Sequence, residues 1–386
     1  MNKKVLTTAL LATVAGTAHA QSSVTLYGLI DAGISYANHS GSNSQKLFKY
    51  DDSVSQSSRF GLRGTEDLGD GLKAIFTLEN GFSSANGTAS QNGALFGRQA
   101  WVGLSKDGAG ALTFGRQYAL TVDDLGGLFS NGGNMVAGNY AYHINDLDQL
   151  TSSRINNSVK FSSANFYGLT FGALYGFSNQ AGAFAGAPTV GATTGSSRTY
   201  SFGAAYANGP LGLGAAYTDI RFPALSTPAF PITAANFSAA PGTGNTVRDL
   251  RTFGVGARYT IGAATLWGLY TNTNLEPLTG SSTRFTAYDA GAKYAITQAL
   301  SAQLGYSYMH LSGGGNGHWN QINAAVDYNL SKRTDVYFLT IYQDASGKVG
   351  AANLQAQIGD TTSFFGSSGT NSQNQLAFRV GLRHKF

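Results

Sequence analysis

The sequence predicts an all-β fold, a closed antiparallel barrel of 16 strands that crosses a membrane. Three observations lead to this class: an unusual composition, an apolar–polar alternation of period two, and inter-strand connections that alternate between short and long. The 386 residues include 51 Gly, 23 Phe and 20 Tyr but only 12% charged residues, whereas soluble domains have about 25% charged residues. So many aromatic residues exclude a disordered chain, and the absence of cysteine excludes disulfide scaffolds and thiol catalysis.

The N-terminus has the features of a secretory signal peptide. Met1 is followed by Asn2 and two lysines, then by an apolar run over residues 5–15 and the small-x-small sequence Ala18-His19-Ala20. This pattern predicts cleavage after residue 20, because the apolar run is shorter than the roughly 20 residues of a spanning helix. We therefore expect a signal peptide at 1–20 and one barrel domain at 21–386, with the net charge falling from +5 to +3.

Alternation of apolar and polar residues is the dominant pattern of the remaining chain. It is clearest over residues 252–261, 320–330 and 376–386, where nearly every second residue is apolar. Such a pattern predicts extended strands with one apolar and one polar face. In a membrane barrel the apolar face contacts lipid, and closure satisfies the backbone groups of every strand.

Short and long connections alternate between these strands. Seven turns and eight long stretches rich in Gly, Ser, Asn and Thr join 16 strands, which is the pattern of an outer-membrane barrel with short periplasmic turns and long extracellular loops. The turns are at 66–71, 106–110, 165–168, 208–210, 262–263, 297–299 and 331–334. The long stretches are near 38–56, 83–95, 119–152, 179–197, 222–249, 273–283, 312–318 and 344–374.

Two further residue patterns suit this barrel. Aromatic residues near the strand ends predict girdles at the membrane interfaces; they are Tyr27, Tyr36, Tyr206, Tyr217, Tyr259, Tyr294, Tyr328 and Phe386. Glycines at inward positions predict space in the channel; they are Gly214, Gly254, Gly256 and Gly305.

Several motifs resemble those of general porins of the Gram-negative outer membrane, in their β-proteobacterial branch. They are residues 23–28 (SVTLYG), 58–69 (SRFGLRGTEDLG), 96–104 (FGRQAWVGL), 114–117 (FGRQ), 156–159 (NNSV) and the end of the chain at Phe386. The resemblance covers essentially the whole mature chain apart from the outer loops. It implies a homotrimer, a third outer loop at 119–152 that folds into the lumen, and a C-terminal assembly signal at Phe386. Lipopolysaccharide and the barrel-assembly machinery are then the expected partners.

Strand parity and the resemblance together predict the residues of a pore constriction. Strand parity directs Arg59, Arg63, Arg154 and Lys160 inward. Glu79 falls on the same face of its strand as Lys73, opposite the apolar residues of that strand. Arg98 shares the parity of outward residues, so a bulge is needed to direct it inward. The resemblance implies that Arg59, Arg98 and Arg154 face Glu79 and two loop carboxylates. The expected constriction is basic at Arg59, Arg63, Arg98, Arg154 and Lys160, and acidic at Glu79, Asp123 and Asp124.

These residues predict a water-filled channel for passive diffusion of small hydrophilic solutes and inorganic ions, with a preference for anions. Guanidinium groups stay charged at physiological pH, and pore charge sets selectivity. We expect Asp146 and Asp148 to be solvated, and Gly126-Gly127 with Asn131-Gly132-Gly133 to make the third loop flexible. The alternative is a substrate-specific, saturable channel on the same barrel.

Other functions find little support in the sequence. Five scattered histidines in the mature chain and the lack of a G-x-S-x-G motif argue against an enzyme. No nucleotide-binding motif is present, and we expect no cofactor and no metal. A charge of +3 without any basic run does not indicate nucleic-acid binding.

Overall fold

The computed structural model describes residues 23–177, 198–221, 247–277, 281–313, 315–349, 351–361 and 364–386. These residues form one continuous antiparallel sheet, in which most strands pair with their neighbours in the chain and the first pairs with the last. Within the described ranges, no helix has both the length and the hydropathy needed to cross a membrane. The predicted signal peptide lies outside the described residues.

Eighteen strands make up the sheet. In chain order, β1 to β18 are Ser23–Ser40, Gln45–Asp52, Arg59–Gly69, Leu72–Gly81, Gln99–Lys106, Gly110–Tyr118, Arg154–Ser163, Leu169–Gly176, Arg198–Asn208, Leu211–Arg221, Val247–Ile261, Ala264–Pro277, Thr283–Ala295, Leu300–Ser312, Asn316–Asn329, Thr334–Val349, Ala352–Asn353 and Asn374–Lys385.

These segments amount to the 16 barrel strands that the sequence predicts. Strands β2 and β3 pair with successive parts of β1 on the same side, so they are two halves of one barrel strand, interrupted at residues 53–58. The two-residue β17 pairs only with the end of β16. The closed 16-stranded barrel is therefore confirmed.

The barrel closes between β1 and β18. Their register runs from Leu29↔Lys385 to Ala37↔Ala377, and Phe386 exchanges two backbone hydrogen bonds of 3.0 Å with Gly28. Inside this seam, Arg379 donates to a carboxylate oxygen of Asp31 at 2.8 Å, and both side chains are fully buried. The hydroxyl of Tyr337 donates to the same carboxylate at 2.8 Å. A hydrogen-bonded ion pair thus joins the two ends of the chain.

All seven predicted periplasmic turns join neighbouring strands. At the opposite, extracellular end of the barrel, the strands extend further than expected. β1 continues to Ser40 and β2 begins at Gln45, so the first outer connection is only residues 41–44. Strands likewise extend into the predicted long stretches near 273–283, 312–318 and 344–374. Polar composition does not end a strand here, because pairing continues above the membrane, where water can solvate both faces. The stretches at 179–197 and 222–246 lie outside the described residues.

The outward face contains the predicted apolar belt. Leu26, Val102, Val255, Leu304 and Val380 are exposed, which in a membrane places them against lipid. The aromatic residues expected in the girdles follow this outward parity, with one exception. Tyr27 faces the lumen, where its hydroxyl donates to Glu79 at 3.0 Å. Its position near a strand end made it resemble a girdle residue, but its parity is that of the inward side.

The third outer loop, residues 119–153, folds into the barrel. It contains five short helical turns, at Val122–Gly126, Gly127–Phe129, Asn131–Asn134, Gly138–Tyr140 and Ile144–Asp146. Its apolar side chains pack on the inward residues of β8–β16 in two clusters. The last outer loop follows it inward, since the amide of Gln357 donates to Asn145 and the backbone N–H of Asp360 donates to Asn139 O at 3.0 Å.

The inward glycines make room for this loop and do not widen the channel. A Cβ atom at Gly214 or Gly256 would collide with the ring of Phe129, and one at Gly254 would lie 2.7 Å from Leu125. Glycines within the loop serve the same purpose, since a Cβ at Gly126 would collide with the carbonyl of Leu150. Of the glycines that the sequence analysis expected to make the loop flexible, Gly126, Gly132 and Gly133 thus lie in close contacts, whereas Gly127 has open space beside it.

Candidate functional site

The loop leaves one side of the barrel interior uncovered, and a cavity of about 1270 Å³ lies there. Four arginines line it from consecutive parts of the wall that runs from β3 to β7. We call them the basic wall: Arg59 begins β3, Arg98 precedes β5, Arg116 lies in β6 and Arg154 begins β7. Residues of the third and last outer loops line the opposite side, among them Asp123, Asp146 and Asp360.

Arg59 and Arg98 share one carboxylate. Arg98 Nε donates to Glu79 Oε1 at 2.7 Å, and Arg59 Nε lies 3.6 Å from Glu79 Oε2. The hydroxyl of Tyr27 holds that second oxygen at 3.0 Å. Glu79 is nearly buried behind the arginines. One negative charge therefore anchors two positive ones, and the pair keeps a net charge of +1.

Tyr118 lies between Arg98 and Arg154. The guanidinium carbon of Arg154 is 5.1 Å from the centre of its ring, and that of Arg98 is 5.9 Å away. Arg154 Nε also donates to the Tyr118 hydroxyl at 3.3 Å. Contact between a guanidinium group and an aromatic face stabilises the cation. Tyr118 thus spaces two positive charges that would otherwise repel each other.

Arg116 completes the basic wall and was missed by the sequence reasoning. Its parity is that of the outward residues Leu112 and Phe114, but the register of β6 against β7 shifts between Gly115 and Gln117. This bulge turns Arg116 inward, where it donates to Gly97 O at 2.8 Å and to the side chain of Asn156. The signal available in the sequence was a glycine inside a strand pattern, Gly115 of the motif 114–117, which often marks a bulge; in the structure its φ is +137°.

Arg98 reaches the cavity for a related reason. It lies one residue before β5 begins at Gln99, so it does not follow the parity of that strand. Its backbone N–H donates to Glu79 O at 3.2 Å, and its side chain is nearly buried. Arg98 is directed inward as expected, but the cause is its position just before the strand begins and not a bulge within the strand.

Some predicted constriction residues have other positions. Arg63 stacks on Tyr27 at 5.2 Å and does not line the cavity; it lies four residues, roughly 13 Å, beyond Arg59 toward the periplasmic turns. Lys160 Nζ is paired with Asp123 and donates to Tyr118 O at 3.1 Å. Glu79 belongs to the basic wall and does not oppose it.

Asp124 also lies away from the cavity. It packs against the wall at Gly203 of β9, where a Cβ atom would collide with its carboxylate. Burial, with Asp123 as a second cause, raises the pKa of Asp124 to about 6. Asp123 is the predicted loop carboxylate that does line the cavity.

The expectation that Asp146 and Asp148 are solvated was wrong. Asp148 is fully buried and accepts from His143 Nδ1 at 2.6 Å and from Thr271 at 2.6 Å. His143 Nε2 lies 3.0 Å from Asp289 of β13. Burial alone would lower the pKa of His143, but the two carboxylates raise it well above its usual value. A buried imidazolium therefore clamps the loop to the covered wall.

Two cavity carboxylates have raised pKa values. Burial, followed by the neighbouring charge of Asp148, raises the pKa of Asp146 to about 6. Burial, followed by the charge of Asp146, raises the pKa of Asp360 to about 7. Thr151 connects them, because its hydroxyl donates to Asp360 at 3.0 Å and its backbone N–H donates to Asp146 at 3.1 Å. Around neutral pH these acids are partly uncharged.

A family model described as Gram-negative porin matches residues 7–348 of the chain. The chain belongs to the Gram-negative porin family. This porin is 30% identical to outer membrane porin protein 32 of Delftia acidovorans over the full length of both chains. It is 40% identical to an outer membrane porin protein of Bordetella pertussis over 57% of this chain and 60% of that protein.

A solved structure supports the same family. The barrel resembles the anion-selective porin from Comamonas acidovorans with a TM-score of 0.74 and 26% identity, covering 95% of this chain and all of that one. The protein is an outer-membrane porin, which forms a channel for small hydrophilic solutes and ions.

Proposed function

We propose that this porin is a passive, anion-preferring channel whose selectivity is set by the basic wall. The observation behind the proposal is the imbalance of charge on that wall, where four arginines face the cavity with one carboxylate, Glu79, among them. Arginine cannot lose its proton at physiological pH. Anions entering the cavity therefore meet a fixed positive surface.

Arg116 and Arg154 contribute most to this surface. Among the described residues, neither has a carboxylate oxygen within 4.0 Å, and both are held by neutral groups. Neither charge therefore has a directly bonded acidic partner in the described part of the chain, and Arg154 acts on Asp360 only through space. One unit charge about 5 Å from a permeating ion, at a dielectric constant near 80, changes its energy by about 0.8 kcal/mol, or about fourfold in local concentration.

Several carboxylates that line the cavity are partly neutralised. Asp123 is paired with Lys160, and Asp51 lies 3.2 Å from Lys49. The raised pKa values of Asp146 and Asp360 leave them partly protonated at neutral pH. The four arginines therefore face carboxylates whose negative charge is weakened by pairing or protonation. Elsewhere on the cavity lining, Lys293 and Arg383 occur with Asp52 and Asp327. The anion selectivity in the name of the Comamonas acidovorans porin agrees with this arrangement.

The remaining assignments extend the same proposal. We propose a mature barrel at 21–386 after removal of a signal peptide at 1–20, and a homotrimer surrounded by outer-membrane lipid and lipopolysaccharide. The terminal Phe386, exposed beside the seam, would be the signal read by the barrel-assembly machinery. We assign the channel no enzymatic activity.

A planar bilayer with a salt gradient tests the proposal. Purified porin should insert in conductance steps with an ohmic current, and the reversal potential should have the sign of an anion-preferring channel. Because charges are screened over about 10 Å at 0.1 M salt and about 30 Å at 0.01 M, the preference should grow as the salt is diluted. Cation selectivity would overturn the role of the basic wall. A current that saturates with a solute would favour the substrate-specific alternative.

A further inference from the structure

The second barrel strand is interrupted by residues that fold into the lumen. β2 ends at Asp52, which pairs with Ala32 of β1, and β3 begins at Arg59, which pairs with Leu29 of β1. Two residues of β1 lie between these pairs, against six on the other side, residues 53–58. An insertion of this size leaves the plane of the sheet. We call residues 53–58 the inner segment.

The inner segment fills the corner between the third loop and the basic wall. Four of its residues line the cavity, namely Ser53, Ser55, Gln56 and Ser57. Between them, Val54 is fully buried in an apolar cluster that includes the third loop. A Cβ atom at Gly138 of the loop would collide with the carbonyl oxygen of Val54, so the two segments are in close contact.

Hydrogen bonds from the inner segment reach both sides of the pore. On the side of the third loop, Asn139 donates its backbone N–H to Val54 O at 2.7 Å and its side-chain amide to Ser53 O at 2.7 Å. On the side of the basic wall, Arg59 Nη1 donates to Ser57 O at 3.3 Å. The inner segment therefore spans the gap between the loop and the first arginine of the wall.

Asp31 of β1 holds the inner segment from behind. Its Oδ2 atom accepts from the backbone N–H groups of Ser55 at 2.9 Å and Gln56 at 3.3 Å. Its backbone carbonyl accepts from the N–H of Ser53 at 3.0 Å, and its backbone N–H donates to Ser58 Oγ at 3.1 Å. Asp31 is fully buried and does not itself line the cavity.

This position needs a carboxylate because both oxygen atoms are used. While Oδ2 binds the inner segment, Oδ1 accepts from Arg379 and from the hydroxyl of Tyr337, each at 2.8 Å. An ionised carboxylate only accepts hydrogen bonds, whereas an amide has one accepting oxygen and one donating NH₂ group. Asparagine at position 31 would therefore leave either Arg379 or the inner segment without its acceptor.

We propose that Asp31 is a positioning residue of the channel, which fixes the width of the pore by holding the inner segment between Asn139 and Arg59. A segment without these bonds keeps more conformational freedom, and its movement would change the free space in the corner that it fills. The inference rests on the channel function of the porin and is independent of the proposed anion preference. Arg116 and Arg154 form their hydrogen bonds with other parts of the wall.

Single-channel recordings of D31N test the proposal, with Y337F as the matched control. D31N should increase the variance of the open-channel current about twofold or more, because a buried donor loses its acceptor. Y337F removes a hydroxyl from the same buried group but keeps the bonds from Ser55 and Gln56 to Asp31. It should lower thermal stability and leave the current as quiet as that of the wild type. Equal noise in the two variants would show that Asp31 only closes the barrel, which would overturn the proposal.

N139A releases the inner segment from the opposite side and leaves the barrel seam intact. It loses the side-chain bonds to Ser53 O and to Ser57 Oγ and keeps the backbone bond to Val54. We expect a smaller increase in current noise than in D31N. The double variant D31N/N139A should be no noisier than D31N, because both changes act on the same segment. Wild-type noise in N139A would contradict the proposal, and this test remains decisive if D31N does not fold.

Deletion of residues 54–57 tests whether the inner segment narrows the pore. The deletion leaves two residues opposite two of β1 and keeps Asp31 paired with Arg379. In 1 M salt, where charges are screened over about 3 Å, the single-channel conductance should rise by about 1.3-fold or more. Swelling of porin-containing liposomes should show faster entry of raffinose relative to arabinose, two neutral sugars of different size. Unchanged conductance together with an unchanged sugar ratio would overturn the proposal.

The reversal potential separates this proposal from the one on selectivity. D31N and N139A should keep the reversal potential of the wild type, because neither changes Arg116 or Arg154. Loss of ion preference in both variants would show that the inner segment acts on charge and not on width, which would overturn the proposal. A wild-type porin without anion preference would contradict the proposed selectivity alone, since noise, conductance and sugar entry do not depend on it.

Discussion

The interior of the barrel has two walls that are built from similar strands. The third loop covers one of them and leaves the other open to the cavity. The wall formed by β8–β16 is covered by the third loop and packs like a protein core, with Phe129, Leu125 and Ile144 against inward side chains. The basic wall formed by β3–β7 is left open and presents four arginines to the cavity. The loop thus determines which charges of the barrel are available to solutes.

The way each wall holds its charges also differs. On the covered wall, His143 lies between Asp148 and Asp289, and all three side chains are almost fully buried. On the basic wall, Arg116 and Arg154 are held by neutral groups. The charges that position the loop are paired, whereas two of the four arginines that face the solute have no bonded acidic partner among the described residues, and the other two share one carboxylate. Predictions that disturb each wall separately can test this division.

The largest effect is expected from breaking the clamp on the covered wall with His143→Gln. Glutamine cannot compensate two buried carboxylates, and removal of one member of a buried ion pair costs about 3–5 kcal/mol. The third loop should detach more often, which would be seen as faster proteolysis within 119–153 and as a noisier open-channel current. Channels as quiet as those of the wild type would contradict the role of the clamp. His39→Gln, at the outer rim, is the control.

The pH dependence of this clamp follows from the sign of the shift. Because the pKa of His143 is raised in the folded state, its stabilisation is complete below the ordinary histidine pKa near 6.5. It falls progressively as the pH rises from there through the raised value. Loop proteolysis in the wild type should therefore stay constant from pH 5 to about 6.5 and increase at more alkaline pH. An increase on acidification would contradict the charged state of His143.

A smaller loss of loop attachment is expected from Phe129→Ala. The ring fills space beside Gly214 and Gly256, and truncation of a buried Phe costs about 3 kcal/mol or more. Single-channel conductance and loop proteolysis are the measurements. Leu128→Ala, at a partly buried neighbour, should have a weaker effect; equal effects of the two variants would show that the ring has no special role.

The smallest effect concerns the acids that face the basic wall. Asp146 and Asp360 gain negative charge as the pH rises through their raised pKa values of about 6 and about 7. Anion preference should therefore fall modestly between pH 5 and pH 8. Asp360→Asn should remove the upper part of this change and raise anion preference at pH 8. A preference that rises with pH would contradict the assignment of these groups to the ion path.

The barrel itself could be predicted from the sequence because its physical causes are local. Alternation of side chains and the spacing of turns determine strand number and facing, as at 320–330. The inward position of Arg59 and Arg154 follows from the same parity. Regular parity fails where strands are irregular, so Arg116 was missed at a bulge and Arg98 is directed inward just before its strand begins.

Long-range packing explains the other differences. Nothing near Gly214 or Gly256 in the sequence shows that Phe129 will fill the space beside them. Likewise, Asp148 resembles a solvated loop residue until His143 and Thr271 are brought to it from different elements. The sharing of Glu79 between two arginines depends on two neighbouring strands and the residue before a third. These contacts exist only once the barrel has closed around the loop.

The reversal potential of R116Q/R154Q in a salt gradient shows whether the basic wall sets the ion selectivity, with R63Q as the matched control. R63Q removes the same kind of charge from the same wall but outside the cavity. We expect R116Q/R154Q to lose most of the anion preference, by about fourfold or more for the pair, and R63Q to keep it. Equal reversal potentials for the two variants would contradict the claim that the basic wall sets selectivity.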